Sequence, residues 1–273
     1  MTGDVAGRVT RRVTRRAMGT AKLLLGTNLK MYKTSRETAA YLTDLMRLTE
    51  DISRERVEIF VIPSYTSLPE ADRITDRRSI LLGAQNMCWE EDGPFTGEIS
   101  PKMLREFHVD MVEIGHSERR HVFGEDDAMV NRKTLRALQS GFIALVCVGE
   151  TAEDKANGVG DERVRSQVFA ALAGVGPENA GSMRIAYEPV WAIGENSVPA
   201  TAEYVAGRRV AIRTALCAVL GKAGEGVPVL YGGSVHAANA AGYLAAGGMD
   251  GLFIGRAAWD ASRFAGIIRD LAG

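Results

Sequence analysis

Phe142-Ile143-Ala144-Leu145-Val146-Cys147-Val148 is an unbroken apolar stretch near the middle of the chain. It is far shorter than the ~20 apolar residues that a membrane-spanning helix needs. Its Val and Ile content is instead typical of a strand buried on both faces of a parallel sheet. Other β-prone runs follow the same pattern along the chain. Together they give eight candidate strands, at residues 22–27, 57–62, 79–84, 111–114, 143–148, 184–187, 227–230 and 251–254.

Helical patterns separate these runs, at residues 35–50, 128–140, 162–173, 201–220 and 237–246. Thr201 with Glu203 indicates a helix start, because it combines a capping hydroxyl with an acid in the first turn. Eight strands that each precede a helix, over roughly 250 residues, predict an α/β fold with a single closed (β/α)8 barrel, the TIM-barrel fold. The alternative is a doubly wound open sheet, which normally has fewer strands and a phosphate loop after the first.

The N-terminus differs in charge from the rest of the chain. Residues 1–22 carry six basic residues against one acid, a net charge of +5, which leaves −6 on the remainder of a chain whose net charge is −1. We expect residues 1–21 to be a disordered basic extension and residues 22–273 to form the barrel domain. A transit peptide fits the same composition. A nucleic-acid arm is disfavoured, because the segment has no aromatic residue to stack on bases.

Cysteine usage and motifs limit the possible chemistry. Cys88, Cys147 and Cys217 are odd in number and widely spaced, which predicts reduced thiols, no metal site and a cytoplasmic location. No glycine-rich nucleotide fingerprint follows a strand. These features predict no metal or nucleotide cofactor, and no nucleic-acid or membrane partner.

The strand ends carry the polar groups that suit catalysis. In a (β/α)8 barrel the active site forms at the carboxyl ends of the strands, so groups from different strands meet there. One such end reads Ala186-Tyr187-Glu188-Pro189-Val190-Trp191, a carboxylate fixed on a strand with a hinge directly behind it. Enzymes that remove a proton from carbon need a fixed base and a flap that excludes water. The other strand ends bring Asn28, Lys30, His116, Ser234, Gly255 and Arg256 to the same rim.

Each of these side chains taken alone fits a structural role, such as a surface charge or a helix cap. The convergence of a cation, an imidazole and a carboxylate on one rim favours a catalytic role. From Leu24 onward the chain resembles triosephosphate isomerase. The resemblance is carried by Asn28-Leu29-Lys30-Met31, Gly83-Ala84-Gln85-Asn86, Phe95-Thr96-Gly97-Glu98-Ile99-Ser100, Gly115-His116-Ser117-Glu118-Arg119-Arg120, the Ala186 to Gly194 segment and Tyr231-Gly232-Gly233-Ser234-Val235.

The resemblance implies a role for each residue. Glu188 is the base that moves a proton between adjacent carbons, and His116 is a neutral electrophile. In this family the surroundings of these two side chains adjust their pKa values to these roles. Lys30 binds the substrate and stabilises the enediolate, and Asn28 adds a hydrogen-bond donor. Backbone N–H groups bind the substrate phosphate, at Gly194, Ser234, Gly255 and Arg256.

The resemblance also implies a lid and a partner subunit. The lid would run from Pro189 to Pro199 and keep water away from the enediolate. In the family, a loop around Thr96 reaches into the neighbouring subunit's site. This chain keeps that loop, from Met87 to Thr96, which predicts a homodimer at least.

Three positions depart from the usual family pattern. The lid tip reads Gly194-Glu195-Asn196-Ser197-Val198-Pro199 in place of the usual Gly-Thr-Gly-Lys-Thr-Ala. Arg256 replaces a glycine, and its side chain either adds a cation at the anion site or points to solvent. Leu29 stands where Trp is frequent.

These features look like a divergent branch of the family that includes the tetrulose-phosphate isomerases of erythritol catabolism. The leading hypothesis is therefore an isomerase that interconverts L-erythrulose 1-phosphate and D-erythrulose 4-phosphate. Triosephosphate isomerase itself, acting on dihydroxyacetone phosphate and D-glyceraldehyde 3-phosphate, is the alternative. A non-catalytic barrel that acts as a binding protein is a remote third hypothesis, since it predicts loss of Lys30, His116 or Glu188, and all three are present.

Overall fold

Eight parallel strands close into a barrel in which each strand pairs with its neighbours in chain order and β8 pairs with β1. The structure is a computed structural model that describes residues 22–194 and 197–273. The proposed basic extension, residues 1–21, and the lid-tip residues Glu195 and Asn196 lie outside the described residues. The strands are β1 (Leu23–Asn28), β2 (Val57–Ile62), β3 (Leu81–Ala84), β4 (Met111–Ile114), β5 (Ile143–Val148), β6 (Met183–Tyr187), β7 (Val229–Tyr231) and β8 (Gly251–Phe253).

Helices follow the strands around the outside of the barrel. The prediction of a helix start at Thr201 is confirmed, because the Thr201 hydroxyl accepts a hydrogen bond from the Tyr204 N–H at 3.2 Å. The helices are α1 (Ser35–Leu48), α2 (Leu68–Ile74), α3 (Pro101–Glu106), α4 (Ser117–His121), α5 (Asp127–Gln139), α6 (Ala152–Ala156), α7 (Gly160–Ala171), α8 (Ala202–Leu220), α9 (Ala237–Ala245) and α10 (Ala261–Ala272). In the described part of the chain, no helix combines the length and apolar character needed to cross a bilayer.

The predicted (β/α)8 barrel is confirmed, and the differences are at strand boundaries. We predicted β3 from residue 79, but the N–H groups of Ser79 and Ile80 bond to the carbonyl of Asp76 in a turn. We predicted β7 as residues 227–230, but Pro228 has no N–H to donate to the sheet, and the strand starts at Val229.

Side chains at alternate strand positions fill the barrel interior. Gly26 is required there, because a Cβ at this position would lie 2.1 Å from the Phe60 ring. At the lower end of the interior, Arg184 on β6 forms an ion pair with Glu58 on β2. The inward-facing apolar core consists of Leu24, Phe60, Ile62, Met111, Leu145, Cys147, Ala186, Leu230 and Phe253.

Candidate active site

A cavity of about 350 Å³ opens at the carboxyl ends of the strands. Because the barrel is closed and parallel, residues that follow different strands converge there. All eight residues that the sequence singled out line this cavity: Asn28, Lys30, His116, Glu188, Gly194, Ser234, Gly255 and Arg256. The residues that the sequence brought to one rim therefore meet around one cavity.

Glu188 directly follows β6 and is almost completely buried, at 3% exposure. Its backbone N–H donates to the Val148 carbonyl at 2.7 Å, which fixes the base to β5. Two glycines make room for it. A Cβ at Gly149 would lie 1.9 Å from the Glu188 carbonyl oxygen, and one at Gly232 would lie 2.9 Å from its Cγ. The carboxylate is thus held rigidly at the edge of the cavity.

His116 precedes α4, and its ring nitrogens have distinct environments. Nδ1 accepts a hydrogen bond from the Glu118 N–H at 3.1 Å, so Nδ1 carries no proton and the neutral ring has its proton on Nε2. Nε2 lies 3.6 Å from Oε1 of Glu188. The arrangement supplies an uncharged N–H donor beside the carboxylate, at the start of α4.

Lys30 occupies a left-handed backbone conformation, with φ of 51°. This conformation is uncommon for a residue with a Cβ, and two hydrogen bonds hold it. The Lys30 N–H donates to Oδ1 of Asn28 at 2.6 Å, and the Lys30 carbonyl accepts from Nε2 of Gln85 at 2.7 Å. The Lys30 ammonium forms an ion pair with Glu118 at the cavity rim. A positive charge is therefore placed beside His116 by the turn after β1.

The Asn28 amide, which the sequence predicted as a hydrogen-bond donor, uses one of its two N–H groups within the protein. Its Nδ2 donates to Oε2 of Glu113 at 2.6 Å. Sequence reasoning missed Glu113. The available signal was an acid two positions after inward-facing Met111, inside a strand whose residues are all buried.

Glu113 is fully buried among other titratable groups. Burial raises the pKa of its carboxyl well above the usual range, the nearby Glu188 carboxylate raises it further, and Lys30 opposes the rise. The Cys147 thiol donates to Oε1 of Glu113 at 3.7 Å, and burial also raises the pKa of this thiol. Both oxygens of the Glu113 carboxyl thus accept hydrogen bonds beneath the cavity, Oε2 from Asn28 and Oε1 from Cys147.

Among the described residues, Glu113, His116 and Glu188 are the group whose side-chain atoms lie close enough together to hold a metal ion, within 4.8 Å of one another. Hydrogen bonds already engage both acids, from Asn28 to Glu113 and from the Ser117 N–H to Oε2 of Glu188 at 3.4 Å. The atoms that could hold a cation are therefore already engaged in hydrogen bonds within the protein.

The opposite side of the cavity has the features of an anion site. Gly194, Ser234, Gly255 and Arg256 line it from three loops. The Arg256 side chain donates from its Nη2 to the Gly194 carbonyl at 2.7 Å, which places the guanidinium beside a residue of the predicted anion site. The Ser197 hydroxyl lies 3.2 Å from that of Ser234. These contacts connect Gly194 and Ser197 of the predicted lid to the loops after β8 and β7.

Glu150, a buried residue two positions after the end of β5, anchors the segment behind the base. Its Oε1 accepts hydrogen bonds from the Tyr187 hydroxyl at 3.0 Å, Nε1 of Trp191 at 2.8 Å and the Tyr204 hydroxyl at 3.0 Å. Burial, assisted by Glu150, raises the pKa of Tyr204 to about 12. A buried carboxylate thus ties β6, the first turn of the lid and α8 together.

A closed (β/α)8 barrel with a fixed carboxylate, a neutral imidazole and an ammonium around one cavity defines a class of enzymes that move protons on small anionic substrates. The chain belongs to the triosephosphate isomerase family, whose sequence model matches residues 23–271.

Similar proteins within this family are named after a four-carbon substrate. The L-erythrulose-1-phosphate isomerase of Rhizobium etli is 45% identical over 247 residues, covering 89% of this chain and 90% of that protein. The protein of the same name from Rhizobium meliloti is 41% identical over 256 residues, covering 93% and 99%. Among solved structures, the triosephosphate isomerase of Bartonella henselae superposes with a TM-score of 0.82 at 33% identity, covering 92% of this chain and 100% of that one.

Proposed function

We propose that this chain interconverts L-erythrulose 1-phosphate and D-erythrulose 4-phosphate through an enediolate, without a metal or organic cofactor. The observation that carries the proposal is the approach of Glu188 to within 3.6 Å of Nε2 of His116 in a cavity that also contains Lys30. The names of the relatives at 45% and 41% identity favour the four-carbon substrate.

In the first step, Glu188 removes the proton from C3 of L-erythrulose 1-phosphate. The electrons of the C–H bond form a C2=C3 double bond, and the C2 oxygen gains a negative charge. The Lys30 ammonium and the Nε2–H of His116 stabilise this charge. Both carbons then carry one oxygen each in a nearly symmetric enediolate.

In the second step, His116 donates its Nε2 proton to the C2 oxygen and takes the proton of the C3 hydroxyl. The carbonyl then re-forms at C3, and Glu188 returns its proton to C2. Counted from the other end of the carbon chain, the product is D-erythrulose 4-phosphate. His116 gives one proton and takes one, and Glu188 returns the proton that it removed, so the reaction is a net isomerisation.

The proposed phosphate site consists of backbone N–H groups at Gly194, Ser234, Gly255 and Arg256. A tetrulose 1-phosphate equals dihydroxyacetone phosphate with a hydroxymethyl group on the carbon that loses its proton, so the same base, imidazole and cation serve both reactions. The 33%-identical Bartonella henselae structure keeps triosephosphate isomerase as the second candidate. A pocket discriminates such neighbours by only ~1–3 kcal/mol per group.

The test compares kcat/KM for L-erythrulose 1-phosphate and D-glyceraldehyde 3-phosphate on the same preparation. We expect a ratio that favours the tetrulose, and a Glu188→Gln variant that loses about 100- to 10,000-fold in kcat on it, the usual worth of a general base. A ratio that favours the triose would replace the proposed substrate. A Glu188→Gln variant as fast as wild type would refute the catalytic assignment.

We also propose a homodimer, with the loop from Met87 to Thr96 reaching the partner. Large apolar side chains stand exposed near the two residues of the Lys30–Glu118 ion pair, in the turn after β1 and directly after α4. Such a patch beside an active site is typical of a protein interface. Its members, with exposed fractions, are Met31 (92%), Tyr32 (65%), Val122 (71%) and Phe123 (64%).

The cytoplasm remains the proposed location, supported by three free cysteines of which Cys88 and Cys147 are buried. Residues 22–273 are proposed as a single isomerase domain, in agreement with a family match that spans residues 23–271.

A further inference from the structure

We propose that Glu113 is a positioning residue of the isomerase site, whose carboxyl group holds the Asn28 amide and, through it, the turn that carries Lys30. The inference rests on the proposed function for its kinetic consequences. Its geometric basis is a continuous chain of hydrogen bonds beneath the cavity.

The first link joins β4 to β1. Oε2 of Glu113 accepts from Nδ2 of Asn28 at 2.6 Å, and both residues are buried. The backbone carbonyl of Asn28 accepts from Nε1 of Trp259 at 2.9 Å. The Asn28 side chain is thereby fixed in one orientation, with Oδ1 turned toward the following residues.

The second link joins Asn28 to Lys30. The Lys30 N–H donates to Oδ1 of Asn28 at 2.6 Å while the backbone at Lys30 holds a φ of 51°. A residue with a Cβ holds this conformation only when its surroundings impose it. Loss of the Glu113 carboxyl would leave Nδ2 of Asn28 buried without an acceptor and free the amide to rotate. The Lys30 turn would then lose one of its two restraints.

The contacts of Glu113 fit a supporting role better than a role as a second base. Both of its carboxyl oxygens already accept hydrogen bonds, Oε2 from Nδ2 of Asn28 and Oε1 from the Cys147 thiol. Burial, followed by the nearby Glu188 carboxylate, raises the pKa of the Glu113 carboxyl. The titratable groups that face it are Glu188 after β6, Cys147 on β5, His116 after β4, Lys30 after β1 and Glu118 on α4.

Two substitutions separate positioning from other roles. Glu113→Gln keeps a carbonyl acceptor for Asn28, whereas Glu113→Leu removes the acceptor at similar volume. Misplacement of a catalytic group by about 1 Å can cost about 100-fold in rate. We expect Glu113→Leu to lower kcat by about 10- to 100-fold with a smaller change in KM, and Glu113→Gln to stay within about threefold of wild type with an unchanged pH profile. Met111→Leu, on the same inward face of β4, is the control for disturbance of the core.

A readout without substrate tests the link itself. Hydrogen exchange at the Lys30 amide should accelerate in Glu113→Leu and not in Glu113→Gln or Met111→Leu. The kinetic effect of Glu113→Leu should also shrink in an Asn28→Ala background, because the two residues act as a unit.

Two kinetic outcomes overturn the proposal. The first is full activity of Glu113→Leu. The second is a Glu113→Gln variant as impaired as Glu113→Leu, because that result would mean that Glu113 itself transfers a proton. Unchanged exchange at Lys30 in Glu113→Leu overturns it as well. If wild type isomerises neither sugar phosphate, the proposed function fails, and Lys30 exchange alone decides whether Glu113 holds the turn.

Discussion

Replacement of Arg256 by alanine measures what its side chain contributes to substrate binding. The guanidinium donates to the Gly194 carbonyl at 2.7 Å, and Arg256 also lines the proposed anion site. A hydrogen bond from a charged donor contributes about 1.5–3 kcal/mol when buried. Arg256 is exposed, and comparable exposed interactions contribute about 0.5–1 kcal/mol.

That range corresponds to a factor of about two to five in an equilibrium constant. If the contact favours the substrate-bound position of the lid, Arg256→Ala should raise KM for L-erythrulose 1-phosphate by about two- to fivefold and leave kcat within about twofold. Steady-state kinetics and competition by inorganic phosphate measure the effect in two independent ways. Arg73→Ala, which breaks an exposed ion pair with Glu70 away from the site, is the control.

Either of two results would refute this reasoning. An unchanged KM would show that the contact between Arg256 and Gly194 contributes nothing to binding. A KM increase above about 50-fold, matched by an equal loss in phosphate affinity, would show that the guanidinium binds the phosphate directly. Arg256→Lys further distinguishes a contact with Gly194 from direct binding of the phosphate, since lysine keeps the positive charge but loses the planar donor geometry.

Three further predictions concern stability and assembly. Arg184→Met leaves Glu58 partly buried without its ion-pair partner and should lower the free energy of unfolding, measured by denaturant titration, by about 3–5 kcal/mol. Most of this lost free energy should be recovered in the double variant in which Glu58 is also replaced by Leu. Because the pKa of Glu113 is raised in the folded state from the ordinary 4.5, its contribution to stability is full below about pH 4.5 and is lost as pH rises toward the folded-state pKa. The unfolding free energy of wild type minus that of Glu113→Gln should therefore fall as pH rises. A difference that does not change with pH would contradict the raised pKa. Val122→Glu with Phe123→Ser should shift the protein to monomer in sedimentation experiments, and an unchanged mass would place the interface elsewhere.

The residues that the sequence located correctly are those whose position follows from strand order. Glu188 and Lys30 could be placed at one rim because each follows a strand, and strand ends converge in any closed parallel barrel. Strand order does not determine which atoms a long side chain will contact. Arg256 could not be assigned to the Gly194 carbonyl from sequence, because that contact depends on how the loop after β8 meets the lid. The contact between Asn28 and Glu113 could not be predicted for a related reason, since the two residues are 85 positions apart in the chain.

The glycines that enclose Glu188 restrict how this enzyme can be redesigned for larger sugars. Any side chain at position 149 would collide with the Glu188 backbone, and one at position 232 would push against its Cγ. Mutant libraries that include these two positions would consist mostly of inactive clones. Directed evolution toward five-carbon ketose phosphates should instead vary Ile193, Phe253 and Trp259, which line the same cavity without supporting the base.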